Sequence, residues 1–135
     1  MLLGLRELGD ELWGAALGRT GPAGLEVVMD VYRSYLAEHP GRSEAILHAD
    51  RSDLDVKALG IRLVEPIYAT LRSFGLPEDT IATAQQLISA SIRGFGAAEA
   101  AGAYGTPAEA DAAFAQLYRL FLDALSSGTW PDRQG

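Results

Sequence analysis

His48 lies close in sequence to Asp50, Asp53 and Asp55. Together they could offer a cation three carboxylates and one imidazole, an oxygen-rich ligand set. The spacing matches no known metal-binding loop, so the sequence favours a solvated acidic linker, and no metal is expected. Arg93 is the sharpest binding candidate. Its planar guanidinium could hold a carboxylate ligand, or it could pair with a neighbouring acid such as Glu99, and the pair is the expectation. The chain has no Gly-rich phosphate loop, no HExxH and no GxSxG. It also has no cysteine, which excludes disulfides, thiol catalysis and thiolate metal sites. The expectation is therefore no catalytic residue, no cofactor and no enzyme.

The elements that would position these groups are helical throughout. Gly and Pro punctuate the chain, and Val, Ile and Thr never alternate with polar residues as a half-buried strand requires. Leu5, Leu8, Leu12 and Ala15 share one face of a first helix over 2–17. Leu25, Val28, Met29, Tyr32 and Leu36 make the stripe of a second over 22–38, opened by Pro22 and stopped by His39-Pro40-Gly41. A short third helix is expected over 42–48, and Ser52 or Asp53 could cap the next one. That helix, over 54–74, carries Leu59, Leu63, Ile67, Leu71 and Phe74, with Pro66 expected to kink it and Gly75 to end it.

The fifth predicted helix, 77–103, begins with Pro77, Glu78 and Asp79, a first turn that suits the helix dipole. Ala90, Gly94, Ala98 and Gly102 recur along it every four residues, a row of small side chains that would let another helix approach closely. Glycine costs about 1 kcal/mol in a helix interior relative to alanine, so Gly94, Gly96 and Gly102 need a packing reason. Thr106-Pro107-Ala108-Glu109 is a capping box that opens a sixth helix over 107–126. Its stripe of Phe114, Leu117, Tyr118, Phe121, Leu122 and Leu125 is broad enough to contact two bodies. The fold class predicted is all-α, about six helices, in one domain over 1–126 with a flexible tail over 127–135.

Charge narrows the partners. The 135 residues carry a formal net charge of −7, with 11 scattered Lys and Arg and a single lysine, Lys57. Nucleic-acid binders present a basic face, so this polypeptide by itself should bind DNA poorly. No apolar run reaches the roughly 18 residues of a membrane helix, and Arg6, Glu7, Asp10 and Glu11 interrupt any signal-peptide core. A cytoplasmic location with no membrane partner is expected.

Ser89 to Gly105, SASIRGFGAAEAAGAYG, resembles a segment of one subgroup of TetR-family C-terminal domains. Gly94, Phe95, Glu99 and Gly102 match it, whereas Arg93 stands where that subgroup has histidine. Val31 to Leu47, VYRSYLAEHPGRSEAIL, is similar to the family's helix, His-Pro break and short helix. The resemblance covers nearly the whole chain and implies helices four to nine of the family, with Met1 near the start of helix four. The family's helix-turn-helix head has no counterpart here, so DNA would be reached only through a missing N-terminal domain.

The resemblance implies a homodimer whose last two helices form a four-helix bundle across a twofold axis. The expected interface is Ala90, Gly94, Ala98, Gly102, Phe114, Leu117, Phe121 and Leu125. It also implies a cavity for a small apolar or amphipathic effector of unknown identity. Trp13, Met29, Tyr32, Tyr68, Phe74 and Arg93 are the candidate lining; the plain alternative for each is core packing. The other function class open to the chain is a helical dimerisation module without a small-molecule ligand.

Overall fold

The computed structural model describes residues 2–39, 53–127 and 130. The predicted short helix over 42–48, with His48, Asp50, Ser52 and the Pro40-Gly41 break, lies outside the described residues, as does the side chain of Leu59. Among the described residues there are five helices and no strands: α1 (Leu2–Ala16), α2 (Gly21–Glu38), α3 (Leu54–Arg72), α4 (Glu78–Ala100) and α5 (Pro107–Ser126). The all-α expectation holds.

α2 is the central element and touches each of the other four helices. Its stripe accounts for this: Val28, Met29, Tyr32 and Tyr35 are fully enclosed, joined by Leu25 and Leu36. Side chains recurring at three- and four-residue steps stack on one face and remove most of their apolar surface from water, each contributing about 1.5–3 kcal/mol. α1 supplies Leu5, Leu8 and Leu12, α3 supplies Leu63, Ile67 and Leu71, and α4 supplies Ile81, Ile88, Ile92 and Phe95. α1 packs against α3, and a Cβ built on Gly9 would lie 3.8 Å from the Leu63 Cα, ordinary contact.

The helix ends are set by local chemistry. Asp53 accepts the Asp55 N–H at 2.8 Å, as an N-terminal cap should. Thr20 precedes α2 without a side-chain cap, and the Ser73 hydroxyl oxygen accepts the Gly21 N–H at 2.8 Å instead. α3 runs on through Pro66 and stops at Arg72, two residues short of the expected Phe74. There Ser73 and Phe74 donate to carbonyls three residues back, and Gly75 takes a φ of 76°. The capping box of α5 is complete, with Thr106 Oγ1 accepting the Glu109 N–H at 3.2 Å.

α4 ends at Ala100, three residues before the predicted boundary. Gly102 adopts a φ of 80°, its N–H reaches the Glu99 carbonyl, and the Ala103 N–H reaches the Ala98 carbonyl. That pair of bonds is a Schellman turn, which favours glycine at its left-handed position. Gly102 therefore terminates the helix rather than extending the small-residue row.

α5 touches only α2 and α4 among the described helices, and buries just Ala110, Phe114 and Leu125. Leu117, Phe121 and Leu122 are half-buried and Leu120 is 69% exposed. Within the segment expected to be a tail, Trp130 stacks on Phe121 with ring centroids 6.1 Å apart.

A candidate effector cleft and an open helix face

A cleft of about 390 Å3 opens where α1, α2, α3 and α4 approach one another. α4 provides Gln85, Gln86, Ser89 and Arg93, residues that helical spacing brings to one side. α3 provides Lys57, Gly60, Ile61, Leu63 and Val64, while Leu5 and Tyr32 close the floor. The buried Gln85 amide donates to the Ser89 hydroxyl at 2.9 Å, which fixes the polar wall. The cleft combines apolar sides with a few polar groups, and its volume lies within the roughly 300–1,000 Å3 usual for small-molecule sites.

Of the candidate pocket residues, Tyr32 and Arg93 meet in this cleft. Met29 is fully enclosed in the core. Trp13 and Tyr68 line a separate shallow cleft of about 250 Å3 with Glu65, Ala69 and Arg72. Trp13 also borders one with Pro66 and Thr70. Phe74 packs at the edge of the core. The structure thus brings together two of the six, and adds Lys57, Gln85, Gln86 and Ser89, which the apolar stripes do not reveal because these residues flank them. Among the described residues, no group of His, Asp and Glu is placed to hold a metal ion.

The expected Arg93–Glu99 pair does not form. Six residues along a helix turn two side chains to different faces. Glu99 is taken by Arg33 of α2, which donates Nε to Oε1 at 3.1 Å and Nη2 to Oε2 at 2.7 Å. Arg33 also lies 3.0 Å from Asp111 of α5, and its guanidinium stands over the Phe95 and Phe114 rings at 5.2 and 4.9 Å. One cation therefore ties three helices together. The hydrogen bonding of Arg33 to the Glu99 carboxylate is the largest cause that raises the Arg33 pKa, against the opposing effect of burial. Arg33 had no local signal, since its partners lie far along the chain. Nearby, burial foremost and then Glu26 raise the pKa of Asp30. Burial also raises that of Tyr118, whose hydroxyl donates to the Pro22 carbonyl at 2.9 Å.

The candidate interface residues divide into two groups. Phe114 and Leu125 are spent on the chain's own core, and Gly102 on its helix end. Ala90 and Gly94 are exposed, with Ala98, Leu117 and Phe121 half-exposed beside the exposed Leu87 and Leu120. A Cβ built on Gly94 meets nothing within 4 Å, whereas one on Gly96 meets Leu36 Cδ1 at 3.2 Å. Gly96 thus has a packing reason inside the chain, and Gly94 has none among the described residues.

Residues 25–121 match the family described as tetracyclin repressor-like, C-terminal domain, and the chain belongs to that family. No curated protein matches the chain.

Proposed function

We propose that this chain is the regulatory domain of a TetR-like transcriptional regulator, which pairs with a second copy of itself and binds a small effector. Family membership supports the class. The observation that carries the pairing is Gly94, a helix-interior glycine exposed to open space in a row with Ala90 and Ala98. Glycine there costs about 1 kcal/mol relative to alanine and gains no contact within the chain. Close approach of a second helix is the physical return for it. The exposed Leu87 and Leu120, with Leu117 and Phe121, supply the apolar surface that an isologous contact needs.

Effector binding rests on the cleft of α1 to α4. A ligand that favours one arrangement of these helices biases the relative placement of the two subunits. With a net charge of −7 and scattered cations, this chain is suited to sensing and pairing, and DNA reading falls to a separate N-terminal head. Light scattering on the size-exclusion peak tests the pairing. The expected mass is twice the 14.4 kDa of one chain; a single-chain mass at every concentration up to the highest soluble one contradicts it.

A further inference from the structure

We infer that the cleft selects an anionic effector, a carboxylate on an aliphatic tail, with Arg93 and Lys57 holding the carboxylate. This rests on the effector-binding function proposed above and names its ligand class.

Three observations lead there. First, among the described residues the lining holds two cations and no carboxylate, in a chain where acids outnumber bases 18 to 11. Second, neither cation is neutralised within the described residues. Arg33, Arg62 and Arg72 each have an acidic partner. Arg93 has none, and its Nε is buried without a hydrogen-bond acceptor. Buried donors are almost always paired, and a charged one most of all, so an unpaired guanidinium nitrogen at a cleft marks where an acceptor belongs. Third, the same molecule shows what that edge of a guanidinium takes. Arg33 engages Glu99 side-on, through Nε and one terminal nitrogen to the two oxygens of one carboxylate.

The rest of the cleft fixes the other half of the ligand. Leu5, Ile61, Leu63 and Val64 offer it only apolar contact. At about 390 Å3 the space is near the lower end of the roughly 300–1,000 Å3 usual for ligand sites, which fits a short chain rather than a polycyclic body.

Octanoate, n-octanol and octylamine share one tail and differ in head group, and they are titrated below their aggregation concentrations by calorimetry. The expected result is saturable binding of octanoate, roughly ten- to a hundredfold tighter than octanol, with octylamine weakest. Arg93→Gln and Lys57→Gln should each weaken octanoate binding more than octanol binding, and so shrink the octanoate preference, with helical circular dichroism as in wild type. Equal binding of all three probes overturns the anion selectivity but leaves an effector cleft. Failure of all three to bind overturns the inference and removes the cleft as an effector site. Octanoate preference that persists in both variants also overturns it, since the cations would then not be the source.

Discussion

Arg33 grips Glu99 with two parallel hydrogen bonds although 66 residues separate them in the chain. The pair joins α2 to α4, and the contact with Asp111 extends it to α5. Arg33 and Glu99 are only 16% and 25% exposed, so the attraction is less screened than at an open surface. The same guanidinium covers Phe95 and Phe114, so charge pairing and apolar packing meet at one place.

Removing that cation should loosen α5 first, because α5 touches little else. Arg33→Met keeps an apolar side chain but leaves Glu99 unpaired, and should cost about 1–3 kcal/mol in urea unfolding. In a double-mutant cycle with Glu99→Gln the two losses should fall short of adding, with coupling of about 1 kcal/mol. Fully additive losses would show that the pair is not energetically joined.

Asp30 predicts a dependence on pH. Burial and Glu26, in that order, raise its pKa, with Asp111 adding to them and Arg33 opposing. The folded chain then holds the proton more tightly than the unfolded chain does. Its contribution to stability is present below the unfolded value of about 3.9 and is lost as pH rises through the folded value. Asp30→Asn cannot ionise, so it should be more stable than wild type near neutral pH. The difference should close below about pH 4. Urea midpoints across that range measure it; a gap that stays constant with pH would contradict the assignment.

Two helix ends give local tests. Thr106→Ala breaks the capping box of α5 and should cost about 0.5–2 kcal/mol. Gly102→Ala places a Cβ at a φ of 80° and should cost about 1–2 kcal/mol. Because Gly102 ends α4 instead of lining its outer face, the second substitution should leave the mass by light scattering unchanged. Loss of the wild-type association state would return Gly102 to the interface.

These residues also show which parts of the fold were legible in the sequence. Thr106, Pro107 and Glu109 announce α5 because a capping box is complete within four residues. The apolar stripes located the core, including Met29 and Tyr32. A stripe does not distinguish a side chain sealed in the core, as Met29 is, from one beside a cleft, as Tyr32 is. Gly102 falls in step with Ala90, Gly94 and Ala98 whether or not the helix reaches it, and only the turn's hydrogen bonds decide. Arg33 gave no local sign, since its role exists only once α2, α4 and α5 are assembled. Lys57 flanks the apolar stripe of α3, and its place in the cleft depends on how α4 crosses it.

Pairing through the outer face of α4 can be broken by a single substitution, Gly94→Leu, read out by size-exclusion chromatography with light scattering. Beyond its own helical turn, a Cβ at this position meets nothing within 4 Å among the described residues, and leucine is the better helix former. Folding, followed by circular dichroism, should be intact. Wild type should be a dimer and Gly94→Leu a folded monomer. A wild-type monomer, or a dimer that Gly94→Leu leaves whole, would contradict that pairing.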